Sequence, residues 1–284
     1  AMVGDEVVGV AGILNGTCNF ILSEMEKTGR DFADVLREAQ GLGYAEADPT
    51  MDVGGFDAGH KISILAALAF GCAPKFDAAE IEGISEVELL DIKLAKDLGY
   101  RIKLVAGAAK SDDGVAVKVH PSLVPLEHPL AQAGGALNAL FIEGKRIGRI
   151  FIQGPGAGAG PTAAAVAADI ADVMTGAKRP VFQAPAGQLK PFVAVDPARS
   201  VGKAYLRIMV RDEPGAIAAI SETLAECAVS IDSFLQKPVE GAGGVPIVLV
   251  THATPESNLL DAISRIEKLH AVLERPRLLR VARI

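Results

Sequence analysis

Ile102-Lys103-Leu104-Val105-Ala106-Gly107-Ala108-Ala109 and, past an Asp-Gly turn, Val115-Ala116-Val117-Lys118-Val119 mark the place where the chain changes its period. Alternating and β-branched residues read as strands here and again over 138–143 and 146–152, with a short hairpin signal at Gly144-Lys145. Upstream the spacing is helical. The apolar stretch 7–14 runs into Asn15-Gly16-Thr17, where Thr17 is placed to cap a helix over 18–27 that Gly29 stops. Phe32, Val35, Leu36 and Ala39 share one face of a second helix, which begins at Asp31 and ends at Gly41 and Gly43. A loop with Pro49 and Gly54-Gly55 comes next, then a helix over 57–70 whose nearly all-round apolar surface predicts burial. Ser85 and Glu88 are spaced as a capping box for a helix that reaches Leu98 and is stopped by Gly99. Helices followed by a run of strands predict an α+β fold, with helices packed on a mostly antiparallel sheet.

Downstream lies a glycine loop, Gly154-Pro155-Gly156-Ala157-Gly158-Ala159-Gly160-Pro161, leading into an alanine-rich helix over 162–174. The proline-punctuated stretch 178–200 has no period and reads as a linker. Strand, helix, strand, strand, helix and strand signals then fall at 204–210, 215–227, 229–236, 245–251, 257–268 and the tail. That βαββαβ order is a ferredoxin-like module. The boundary is expected near Pro197, giving units over 1–196 and 197–284.

With 284 residues, 50% hydrophobic and 22% charged, the chain is of globular composition and long enough for two domains. No apolar run approaches a membrane span, the longest being 62–70. Twenty-eight basic against 35 acidic residues, no Trp and no basic stripe argue against a nucleic-acid partner and favour cationic or zwitterionic ones. Cys18, Cys72 and Cys227 are far apart and read as reduced core thiols of a cytoplasmic protein. The five histidines have no zinc-binding spacing, and no metal site is expected.

The densest polar feature is Glu46, Asp48, Asp52 and Asp57, with no basic residue among them. A solvated acidic turn would look the same, whereas a calcium loop would need a different register of carboxylates. Asp57 precedes Lys61 by one helical turn in the favourable order, so the two should touch. A lysine held between carboxylates and a helix start can exchange protons with a substrate, form a Schiff base, or merely seal the helix end. The glycine loop offers free N–H groups at a helix start but is not a dinucleotide fingerprint.

Taken together, 12–22, 38–50 with its Leu42-Gly43-Tyr44-Ala45-Glu46-Ala47-Asp48-Pro49 core, and 52–61 closely resemble the catalytic half of the homoserine dehydrogenase family. Residues 154–170 resemble its glycine loop and adjoining helix, and the βαββαβ tail, with Asp212-Glu213-Pro214-Gly215 at its first turn, is similar to an ACT regulatory domain. The family interconverts L-aspartate 4-semialdehyde and L-homoserine with NADP or NAD, on the route to threonine, methionine and isoleucine. The resemblance implies Lys61 as proton donor to the aldehyde oxygen, Asp57 as the group orienting it, Glu46 as a substrate ligand and Asp52 as the holder of the ammonium. It places Asn15, Gly16 and Thr17 in the substrate pocket and Gly156, Gly158 and Gly160 beside the nicotinamide. Asp212 and Gly215 would receive an amino-acid effector, and a homodimer through sheet surfaces is implied. Family members begin with a Rossmann domain, and this chain matches the portion C-terminal to that domain. It is therefore expected to lack the main cofactor domain, to leave the helix over 162–174 facing the missing domain, and to be inactive alone. The alternative is a regulatory module that only binds amino acids.

Overall fold

The computed structural model describes residues 4–177, 180, 182, 184–196, 198, 200–237 and 243–284. The first unit consists of β1 (Val7–Ile13), α1 (Gly16–Thr28), α2 (Phe32–Gly41), α3 (Thr50–Val53), α4 (Phe56–Phe70), β2 (Glu80–Ile81), α5 (Leu89–Asp97), β3 (Tyr100–Ser111), β4 (Gly114–Pro125), α6 (Pro129–Gln132), β5 (Leu137–Gly144), β6 (Gly148–Pro155) and α7 (Ala159–Met174). The second consists of β7 (Val201–Gly202), β8 (Ala204–Val210), α8 (Ala216–Glu226), β9 (Ile231–Gln236), β10 (Val245–Thr251), β11 (Thr254–Pro255), α9 (Glu256–Ile266) and β12 (Arg277–Val281). No helix among the described residues is long and apolar enough to cross a membrane.

One sheet runs through both units in the order β6-β5-β1-β3-β4-β12-β8-β10-β9, with β2 also on β4. The β3–β4 hairpin anchors it, pairing Tyr100 with Pro125 through to Ser111 with Gly114 and leaving Asp112 and Asp113 as the turn. The pairings are antiparallel except where β2 and β12 lie parallel to β4. Side chains alternate as the two-residue period requires: Leu104, Ala106 and Ala108 enter the core under the first unit's helices, and Val105 faces the opposite cluster. The α+β expectation is met. In the second unit the order β12-β8-β10-β9 is that of a ferredoxin-like sheet.

Strand β8 is buried along its whole length because both faces are covered. Leu206, Ile208 and Val210 pack with residues of α8 and α9, such as Ile220 and Ile263. Tyr205 and Arg207 point the other way, where the Tyr205 hydroxyl donates to Asp91 Oδ1 at 3.1 Å and Arg207 Nε donates to the same oxygen at 2.7 Å. Asp91, on α5, is completely buried. Burial, reinforced by the Asp91 charge, pushes the Tyr205 phenol up.

Four local expectations are corrected. Asn15, not Thr17, caps α1, its Oδ1 accepting from the Cys18 N–H at 2.8 Å, because the helix starts two residues earlier and carries Thr17 inside its first turn. Helix α5 begins after Glu88, whose N–H donates to Asp91 Oδ2 at 3.4 Å, while Ser85 sits in the turn closed by Val87 N–H on Ile84 O. Strand β6 starts at Gly148, and residues 145–147 form the turn. Much of the stretch read as a linker is bound to the first unit: Lys190 exchanges backbone bonds with Gly71 and Ala73, and Val193 and Val195 with Val115. Its prolines hid that pattern by interrupting any period, while its carbonyls still accept. Pro197, the expected boundary, lies outside the described residues.

Lys103 points inward from β3 and is 1% exposed. Its ammonium donates to Asn19 Oδ1 and Ala133 O, both at 2.8 Å, and to Ser23 Oγ at 3.2 Å, all neutral acceptors. Burial, aided by the Arg101 charge, lowers its pKa to about 8 from 10.5. Between those values the unfolded chain binds more protons than the folded one, so stability rises with pH across that window. Relative to Lys103→Met, which titrates nothing there, the native protein should gain on the order of 3 kcal/mol between pH 8 and 10.5. Urea titrations of both proteins at a series of pH values check this, and a pH-independent difference contradicts it.

Candidate active site

Strand β1 ends at Ile13, and the next two residues form the centre of a polar cluster. Asn15 works with both ends of its amide. While Oδ1 caps α1, Nδ2 donates to Asp52 Oδ1 at 2.7 Å and to Asp57 Oδ2 at 2.9 Å. Asp52 comes from α3, and Asp57 from the first turn of α4. One turn further along, Lys61 Nζ donates to Asp57 Oδ2 at 2.7 Å and to the Leu14 carbonyl at 3.1 Å. The expected Asp57–Lys61 pair thus exists, and Asp52 and Asn15 belong to the same cluster. Lys61 has three N–H donors and these bonds engage two, so the third is available to a ligand.

The helix around Lys61 is less buried than its composition implied. Ile62, Ser63, Ala66 and Ala67 are buried, but the Lys61 side chain is 47% exposed and the Asp57 side chain 30%. The cluster is therefore open to solvent on the lysine side, and its two carboxylates outnumber its one ammonium. His60, beside Lys61, turns away and stacks on Phe76 with ring centroids 3.8 Å apart. Beneath the cluster, the Cys18 thiol contacts Asp52 O at 3.1 Å. Burial pushes that thiol up, and the charges of Asp52 and Asp57 add to the effect, so it stays neutral.

Other expected residues are placed differently. Thr17 Oγ1 donates to Tyr44 O at 2.6 Å, tying the 44–46 segment to the head of α1. Glu46 is exposed, its carbonyl accepting from Gln40 Nε2, and no described hydrogen bond or ion pair joins its carboxylate to Asp52, Asp57 or Lys61. Gly16 lies close against strand β5's approach: a Cβ there would stand 2.7 Å from Ala136 O. Gly156 is tighter still, since its Cβ would fall 2.1 Å from Asn138 Nδ2. That contact connects the glycine loop to the cluster, because Asn138 Nδ2 also reaches Leu14 O, the carbonyl that Lys61 uses, at 3.4 Å. Asn138 itself went unread in the sequence, and its Oδ1 is buried without a hydrogen-bond partner. The available signal was an asparagine, a poor strand former, opening an otherwise apolar strand.

Gly158 caps α7, and Gly158 and Gly160 are exposed. A Cβ at Gly160 would meet nothing within 4 Å, so a flat ligand can approach this backbone closely. Helix α7 buries none of its residues, leaving Val173 at 80% and Met174 at 82% exposure. Asp212 and Gly215 lie on the surface of the second unit, with Gly215 capping α8 at φ 93°.

Residues 1–171 match the homoserine dehydrogenase family, and residues 204–271 match the ACT domain. A homoserine dehydrogenase of Neisseria gonorrhoeae is 43% identical over 286 residues, covering 97% of this chain and 64% of its own length. The crystal structure of a homoserine dehydrogenase from Thiobacillus denitrificans superposes with a TM-score of 0.91 at 41% identity, over 99% of this chain and 65% of that one. A hyperthermophilic archaeal homoserine dehydrogenase in complex with NADPH superposes with a TM-score of 0.53 at 29% identity, over 62% of this chain and 50% of that one. This chain thus spans just under two thirds of the first two relatives.

Asn15 makes a structural demand independent of any reaction. Asn15→Ala removes a helix cap and the bridge between two carboxylates, and should cost about 1–3 kcal/mol of stability in a urea titration. A variant as stable as the parent would show that the bridge contributes nothing.

Proposed function

The chain belongs to the homoserine dehydrogenase family, and we propose that it forms the substrate-binding and proton-transferring part of an enzyme that interconverts L-aspartate 4-semialdehyde and L-homoserine. The observation that carries this reading is the meeting of Asn15, Asp52, Asp57 and Lys61 within hydrogen-bond distance of one another's partners. An anionic cup with one available ammonium donor suits a small zwitterion whose own ammonium needs carboxylates and whose aldehyde oxygen needs a proton. Asp52 holds the substrate ammonium. Asp57 fixes Lys61, whose free N–H points the proton at the carbonyl oxygen, and in the reverse direction the amine takes it back. Glu46, on the segment tied to α1 through Thr17, closes on the substrate from the exposed side. Gly16 and Thr17 line the floor.

The nicotinamide of NADP or NAD supplies the hydride when bound, and the residues that would hold it here are Gly156, Gly158 and Gly160. Supporting the fit are the alternation of glycine with only alanine and proline along that exposed loop and the buried, unpartnered Asn138 Oδ1 beside Gly156. We assign the main nucleotide contacts to the part of the relatives' length that this chain does not match, and the bare surface of α7 to packing against it. A homodimer through sheet surfaces and a cytoplasmic setting complete the proposal.

A second reading concerns regulation. Gly215 opens α8 with its first-turn N–H groups on the surface, an arrangement suited to the carboxylate of an amino-acid effector, with Asp212 near its ammonium. Calorimetry with threonine, methionine and isoleucine tests it, and no heat with any of them removes it.

In the complete enzyme, Lys61→Ala should lower turnover by about 10²- to 10⁴-fold in protein that a thermal melt shows to be folded, since the side chain is 47% exposed. Steady-state kinetics on semialdehyde with NADPH measure it. Turnover equal to that of the parent ends the assignment of Lys61.

A further inference from the structure

The edge of β4 is shared by two strands from opposite ends of the chain. Glu80 and Ile81 of β2 pair with Lys118 and Val119, and β12 joins only afterwards, at Arg280 and Val281. Beside this fork a cavity of about 470 Å³ opens between the 82–88 loop, the start of β12 and α9. Its size is that of a small-ligand pocket, but its walls are charged, with four glutamates and four arginines.

Two of those arginines are cross-strand neighbours, Arg207 on β8 and Arg277 on β12. Arg207 turns its Nε and Nη2 edge onto the Asp91 carboxylate, at 2.7 and 3.4 Å. In Arg277 the same two nitrogens are buried and make no hydrogen bond. The nearest carboxylate oxygen, Glu82 Oε1, is 4.0 Å from Nη2, and Glu82 is already engaged by Arg280. A guanidinium edge removed from water with no acceptor carries a desolvation cost that a carboxylate would relieve, bidentately and with charge assistance. Arg277 itself is part of the cavity wall, so this unsatisfied guanidinium stands at the cavity. Glu274 and Glu88, also in the lining, touch Arg207 at 3.2 and 3.0 Å while remaining 55% and 58% exposed, which leaves oxygens for a cation.

We propose that this cavity binds a small zwitterion of amino-acid size, its carboxylate on Arg277 and its ammonium on Glu274 and Glu88. A lining with equal numbers of both signs matches neither a simple anion nor a simple cation. The site is separate from Asp212 and Gly215 and does not rest on the dehydrogenase reading. It touches both units at once, because Arg207 lines the cavity and also grips Asp91 on α5.

Isothermal titration calorimetry of this chain with the L-amino acids, one at a time, tests the assignment, with succinate and ethylenediamine as single-sign controls. At least one amino acid should bind saturably and neither control should. Arg277→Met should weaken that binding by about tenfold or more and Glu274→Gln by several-fold. Thermal melts by circular dichroism establish that Arg277→Met is folded; if it is not, Glu274→Gln, at an exposed position, decides. The proposal is overturned by silence from every amino acid, by equal binding in the deciding variant, or by a control that binds as well.

Discussion

Two aspartates share one amide nitrogen, and the site is organised around that arrangement. Asp52 and Asp57 repel each other, and proximity is tolerated because both hydrogens of Asn15 Nδ2 lie between them and Lys61 balances one of the charges. The amide cannot turn away, since its oxygen is held by the Cys18 N–H. The end of β1, the head of α1, the single turn α3 and the start of α4 are therefore positioned by one side chain. Moving any of them breaks a hydrogen bond to a charge, the stronger kind.

That rigidity bears on catalysis. Proton transfer gains from a donor already in place, and Lys61 is held from two directions, by a carboxylate on its own helix and by the Leu14 carbonyl on another element. Asn138 reaches the same carbonyl and underlies Gly156, so the proton donor and the glycine loop refer to a common backbone atom. The openness of the lysine side fits the proposal that the pocket is completed by parts beyond these elements. A donor 47% exposed would otherwise work in water, where its electrostatic interactions are weak.

Much of the fold was legible because it rests on period. The change from helical spacing to alternation before Ile102, and the six-element pattern after Ala204, each reflect one face of an element seeking cover. The features that could not be read depend on partners distant in the chain. Asn15 and Thr17 are both competent caps, and the choice was made by Tyr44 O taking the Thr17 hydroxyl and by the two aspartates taking the Asn15 amide. Asp57 and Lys61 were visible as a pair because both lie on one helix, whereas Asn138 lies 124 residues from the carbonyl it contacts. Lys103 looked like an ordinary charge on a strand, and its three neutral acceptors come from α1 and the α6 turn. In β8 the sequence signalled a strand, one of whose faces packs on α8 and α9. That the other is also covered is due to Asp91, which no local pattern ties to Arg207.

The shared sheet limits how the two units can influence each other. Between β4 and β12 the ladder consists of two register pairs, Arg280 with Ser122 and Leu123 with Val281, and β8 continues from β12 on the far side. A rigid swing of the second unit would break those bonds and also strip Asp91, wholly buried, of the Arg207 and Tyr205 donors that allow its charge to stay there. Large domain motion is thus costly. Small rotations about the β4–β12 junction are cheaper, because Arg207 and Arg280 can exchange carboxylate partners among Glu82, Glu88, Glu256 and Glu274 without losing all of them. From there the path inward is short. Helix α5 packs on β3, the strand that carries Lys103 and pairs with β1, and β1 delivers Asn15 to the two aspartates. The arginine network at the sheet junction and the polar cluster at the end of β1 are thus joined by continuous strand pairing and helix packing.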